Sequence, residues 1–290
     1  MSILVGFTGT LGGQDALALG DVFARTLGTD IDVLIVLPSE RRVTLAPPDE
    51  SYEEMVREQA LAWLDQAEDV VHTRGEIAHH IRYAETPTEG LLHAVEEFRP
   101  DCLVMGGGRH GAFGTVSLSP ISTSLLHAST EPVALAPRGY RERHIKKISR
   151  VTAFIGRLPS SGRIIQESTN LARRAGVPLR LVSLLPLDNY ENRVEEHIGT
   201  QAAQDHAQNA LAMARERLPE DIETSTELAL GHTIEDATQR LSWLPDEVAM
   251  LGSSRLAAPR RLFLGSVANS ILRVMPVPLI IVPREERLEL

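Results

Sequence analysis

A chain of 290 residues that is 43% hydrophobic but only 4% aromatic must build its core from Leu, Val, Ile and Ala, which favours α/β layers over an aromatic-rich sandwich. A net charge of −10 leaves no surplus of Lys and Arg to displace counterions, excluding a nucleic-acid partner, and a lone Cys102 excludes a disulfide framework or thiolate metal cluster. The opening MSILVGF lacks the basic and long apolar regions of a signal peptide, and no window approaches a membrane span, so a cytoplasmic protein with no membrane partner is expected.

Taken in order, apolar runs of strand length lie near residues 3–8, 31–37, 77–84, 102–106 and 132–136. Between them the apolar spacing is helical: Leu19, Phe23 and Leu27; then Val56, Ala60, Trp63, Ala67 and Val70; then Leu91, Val95 and Phe98; then Ile121 and Leu125. Residues 138–149, within PRGYRERHIKKIS, are basic and polar and are expected to form a solvated linker. The pattern then starts again at VTAFIGRL, with helical stripes at Ile164, Ala172 and Ala175; Ala203, Ala207, Ala210 and Ala214; Ile234, Ala237, Leu241 and Leu244; and Val267, Ile271 and Val274.

The second pass is a copy of the first. Residues 106–137 align with residues 252–283 without a gap, and eight positions are identical, among them Gly106 with Gly252 and Arg109 with Arg255. Each copy therefore predicts a doubly wound, five-stranded parallel sheet, with ligands expected beyond the carboxyl ends of the strands. The domains are placed at residues 1–137 and 150–290.

The stretch GSSRLAAPRRLFLGS follows an apolar strand and leads into the helical VANSILRV. Glycine lets backbone approach a phosphate, and a helix N-terminus offers unpaired N–H groups; the alternative is a long loop ending in an N-cap at Gly265 and Ser266. At these residues the chain resembles the universal stress protein family in its tandem form. That family's nucleotide signature is a glycine, two residues, a second glycine, nine residues, and Gly-Ser or Gly-Thr. Gly252 and Gly265-Ser266 keep this spacing, with Arg255 in place of the second glycine. In the first copy Gly106 and Arg109 keep the frame, but Ser119-Pro120 replace Gly-Ser, and that copy is expected to be degenerate. Neither copy has the family's first-strand aspartate: Thr8-Gly9-Thr10 and Gly156-Arg157-Leu158 stand there.

The resemblance implies an adenine nucleotide alpha hydrolase-like fold in each half, a pseudo-twofold axis between the halves, and antiparallel pairing of the two last strands. It also implies ATP or a related adenine nucleotide as cofactor, held by the second half. Gly252, Arg255, Gly265, Ser266 and Val267 would surround phosphate and ribose, with Leu184 near the base and Gly156, Gly106 and Arg109 as secondary candidates. Arg255 either replaces the lost backbone contacts or blocks the site, and its recurrence as Arg109 beside a lost Gly-Ser favours blocking. The expected function is stress-response ligand sensing, alone or as a homodimer with an unknown protein partner; the alternative is a ligand-free interaction module. A slow ATPase would need a base and a metal-binding carboxylate beside the loop, and the missing aspartates remove the obvious candidate.

Three other motifs are weak. GGGRHG opens no helix; TLGGQDAL resembles the loop of the ATP pyrophosphatases but lacks both serines; and His79-His80, adjacent in a strand, point to opposite faces. No catalytic residue and no metal site are assigned. Trp63 and Trp243 are expected in the core or an interface.

Overall fold

The computed structural model describes residues 2–39, 50–108, 113–156, 162–187, 196–253 and 265–283. The first half contributes β1 (Ser2–Gly6), α1 (Leu11–Leu27), β2 (Asp30–Pro38), α2 (Glu50–Glu68), β3 (Ile77–Ala84), α3 (Pro87–Phe98), β4 (Cys102–Gly106), α4 (Pro120–Ala128) and β5 (Val133–Ala136). After a 3-10 turn at Tyr140–Arg143 the second half contributes β6 (Arg150–Phe154), α5 (Gly162–Ala175), β7 (Leu179–Pro186), α6 (Glu196–Glu216), β8 (Thr224–Gly231), α7 (Ile234–Gln239), β9 (Glu247–Gly252), α8 (Ser266–Val274) and β10 (Leu279–Val282).

All ten strands form one sheet in the order β3-β2-β1-β4-β5-β10-β9-β6-β7-β8. Strands within a half are parallel, and β5 meets β10 antiparallel, with Ala134 opposite Ile280. The order reads the same from either edge, as the pseudo-twofold requires. Each last strand thereby covers an edge that would otherwise expose VALA or LIIV to another chain.

Side-chain alternation sorts the core into two layers. Ile3 and Val5 face α1 and α2, Leu4 faces α3 and α4, and the second half repeats the division with Val151 and Ala153 against Phe154. Both layers run across the β5–β10 junction, so each core is shared by the two halves. Further ties across the seam are the Arg174–Asp101 ion pair at 2.9 Å and the Val116 N–H donating to the Met275 carbonyl at 3.1 Å.

Three local expectations are corrected. Residues 138–149 do not form a wholly solvated linker: Tyr140 and Ile148 are buried, although Lys146 and Lys147 stay exposed. Asp15 holds this segment, its carboxylate accepting the N–H groups of Gly139 (2.8 Å) and Arg141 (3.1 Å) and pairing with the Arg141 guanidinium at 3.0 Å. The aspartate of TLGGQDAL is thus consumed in docking the linker. At the end of α2, Val71 enters the core and Val70 stays exposed, because the helix stops at Glu68.

The third correction concerns α7, which ends at Gln239, before the predicted stripe is complete. Leu244 precedes Pro245 and is disfavoured in a helix, and the Ser242 carbonyl is taken by the guanidinium groups of Arg150 and Arg180. Those arginines belong to a buried cluster in which Glu247 bonds Arg180, Arg150, Thr152 and the Leu244 N–H, while Arg180 lies 5.0 Å from the Trp243 ring. Every oxygen of the Glu247 carboxylate is engaged, which is what a buried charge requires.

Candidate functional site

The carboxyl ends of β6, β7 and β9 and the start of α8 border a cavity of about 410 Å³. Its floor is Phe154, Val182 and Leu251, and one wall is the small-residue face of α6: Ala203, Ala207 and Ala210. Gly156, Leu184 and Val267 line it directly. Gly252 follows Leu251 at the end of β9, and Gly265 and Ser266 precede Val267 at the start of α8. The chain thus brings together six of the residues singled out from sequence. Arg255 and Arg109 lie outside the described residues.

The helix entering this site has an open end. Gly265 is the N-cap of α8 and has no side chain to cap the first turn. Four N–H groups of a helix start lack intrahelical partners and carry the positive end of the dipole, so this geometry suits an anion. Just past the end of β9, the Ser253 hydroxyl is buried without a hydrogen-bond partner. Space is also open over the glycines: a Cβ at Gly156 would meet no described atom within 4 Å, and one at Gly252 only Ile164 at 3.8 Å.

The equivalent places in the first half are filled. Ser119 caps α4 in a reciprocal box, the Ser122 N–H donating to Ser119 Oγ at 3.0 Å and the Ser119 N–H to Ser122 Oγ at 2.7 Å. Pro120 at the first helical position brings no N–H at all. Gly106 packs against the backbone of Gly12, where a Cβ would collide with the Gly12 carbonyl. The Gly108 N–H donates to the Ser117 carbonyl at 3.0 Å, and Ser117 Oγ returns a bond to the Gly108 carbonyl at 2.9 Å. Gly106, Gly107 and Gly108, the described glycines of GGGRHG, therefore serve close packing of the chain on itself. Above Thr8-Gly9-Thr10, the Trp63 indole occupies the space a Cβ at Gly9 would need.

That tryptophan was the residue least legible as a determinant of the site. Ala60, Trp63, Leu64 and Ala67 on α2 correspond, at an offset of 147, to Ala207, Ala210, Leu211 and Ala214 on α6. The signal was present in the two helical stripes, but only their packing shows that Trp63 fills a volume that Ala210 leaves empty. Of the described cavity side chains, Ser183 and His206 alone can hydrogen-bond. His79 and His80 contact Glu68 and Asp32, on separate neighbours, and among the described residues no group of three potential ligands could hold a metal. No helix of the described residues is long and apolar enough to cross a membrane.

A chain with this architecture has clear relatives. It is 27% identical over 296 residues to universal stress proteins of Mycobacterium tuberculosis and Mycobacterium bovis, covering 98% of this chain and 100% of theirs. Its fold is similar to the crystal structure of a universal stress protein from Archaeoglobus fulgidus, with a TM-score of 0.63 at 17% identity over 97% of this chain and 98% of that one. A putative universal stress protein from Pseudomonas aeruginosa matches with a TM-score of 0.56 at 14% identity, covering 98% and 93%. The model of the universal stress protein family matches twice, over residues 1–137 and 148–283, the same doubling that the strand order displays. With both copies matched and the sheet joined through their last strands, this chain belongs to the universal stress protein family.

Proposed function

We propose that the protein is a stress-response ligand sensor whose second half, residues 150–290, binds ATP or a related adenine nucleotide. Residues 1–137 act as a filled structural counterpart, joined through residues 138–149. The observation that carries this reading is the difference between the two copies: an uncapped α8 beside a cavity of about 410 Å³, against a capped α4 and a Trp63 that fills the space over Gly9. Gly265, Ser266 and Val267 would hold phosphate and ribose at the helix start, Gly252 would allow close backbone approach, and Leu184 would lie along the base. The proposal places the protein in the cytoplasm and leaves its signalling to a partner or a second copy.

The test is calorimetric titration of the intact protein with ATP, repeated on Arg255→Gly. Binding by the parent supports the sensor, and stronger binding by the variant supports a blocking role for Arg255. Absence of binding by either favours a ligand-free interaction module. That second reading draws on one observation, the scarcity of polar side chains in the described cavity wall.

A further inference from the structure

A second concavity, of about 680 Å³, lies at the amino end of β6, whereas the cavity described above lies at that strand's carboxyl end. Three segments form it: the last turn of α1 from Ala24 to Gly28, the loop after α2 with His72 and Arg74, and the linker residues Lys146 and Lys147. Its lining includes Arg25, Arg74, Lys146 and Lys147 and no carboxylate, in a chain whose net charge is −10.

The backbone that carries these cations is held in place. Arg25 donates to the Ile145 carbonyl at 3.0 Å, and the Ile148 N–H donates to Thr26 Oγ1 at 3.1 Å, so the two lysines are fixed between two anchors. On the other side the His72 N–H donates to Asp21 at 2.7 Å, setting the loop that carries Arg74. Arg25 is paired with Asp21 at 2.8 Å. No hydrogen bond or ion pair engages the side chains of Arg74, Lys146 and Lys147 among the described residues.

The carbonyl end of α1 accounts for only part of this charge. A helix terminus carries about half an elementary charge, less than Arg74, Lys146 and Lys147 carry together, Arg25 being paired with Asp21. Arg74, Lys146 and Lys147 are like charges around one groove, and an anion between them would be favoured. A chain of phosphoryl groups offers more points of contact to cations on separate segments than a single orthophosphate does. Guanidinium groups bind phosphate through paired N–H donors, and lysines bind it as point charges.

We propose that this groove binds a small polyanion built of linked phosphoryl groups, either free oligophosphate or the phosphate tail of a nucleotide. The site is separate from the cavity beside α8 and stands whether or not that cavity binds ATP.

The experiment is calorimetric titration of the full chain with sodium tripolyphosphate at two salt concentrations, with orthophosphate for comparison. The parent should bind tripolyphosphate more tightly than orthophosphate, and binding should weaken as salt rises. The double variant Lys146→Glu, Lys147→Glu should weaken it by about tenfold or more, and so should Arg74→Glu, which lies on a different segment. All three residues are exposed, so both variants should fold. Ala210→Trp, which fills the other cavity, should leave tripolyphosphate binding unchanged. In that variant, competition by ATP identifies a groove that accepts nucleotide tails as well as free oligophosphate, and failure to compete identifies one that takes free oligophosphate alone. No binding by the parent, or binding that both charge reversals leave intact, overturns the proposal.

Discussion

The Trp63 indole lies over Gly9 in the first half, and its counterpart in the second half is Ala210, which faces an open cavity instead. Side-chain volume at one position on equivalent helices is therefore one difference between a filled site and an open one. Ala210→Trp should abolish ATP binding detectable by calorimetry. Trp63→Ala should cost about 2 kcal/mol in urea unfolding, less than for a fully buried tryptophan because Trp63 is half-buried. Retention of full ATP affinity by Ala210→Trp would show that the cavity is not where nucleotide binds.

The Asp15 carboxylate ties α1 to the linker through two backbone N–H groups and one guanidinium. Asp15→Ala removes the acceptor and leaves those donors without it. The expected loss is about 3 kcal/mol in urea unfolding, with faster tryptic cleavage at Arg141 and Arg143. Unchanged cleavage would show that the linker is held by Tyr140 and Ile148 alone.

Ile280 sits opposite Ala134 where β10 pairs with β5. Ile280→Asp places a charge in the layer shared by both halves, at a cost of about 4 kcal/mol or more. Size-exclusion chromatography should show aggregation, or urea unfolding should lose its single transition. Independent, unshifted unfolding of each half would argue against a shared core.

Burial pushes the Cys102 thiol up from its ordinary 9.0 and the Tyr140 phenol up from 10.0, since both ionise to an anion inside the core. The folded state thus keeps both protons at pH values where the unfolded chain releases them. Stability is fully present below pH 9 and falls as pH rises beyond it, first through Cys102 and then through Tyr140. Cys102→Ala and Tyr140→Phe should each flatten the fall between pH 9 and 11, measured by urea unfolding. The native thiol should also resist aromatic disulfide reagents at pH 8 until the protein is unfolded, and rapid native labelling would contradict the burial.

Much of the architecture was determined by local pattern. Alternating apolar residues such as Ile3, Leu4 and Val5 specify a strand with two buried faces, and the copied segment ending in Pro137 and Pro283 specifies two like halves. These signals are short-range or repeated, so they survive in a linear reading. Gly156, Leu184, Gly252 and Val267 came from the resemblance to universal stress proteins, whose frame places them at strand ends and a helix start. The tertiary structure decided what depends on residues far apart in the chain. Asp15 meets Arg141 across 126 residues, which turns part of a basic run into a docked segment. The same long-range packing gathers Arg25, Arg74 and Lys146 around one groove. Trp63 and Ala210 both fit an apolar helical stripe, but volume has no periodicity. Whether a side chain fills a site or leaves it open depends on the distance to the facing backbone, and only the folded chain sets that distance.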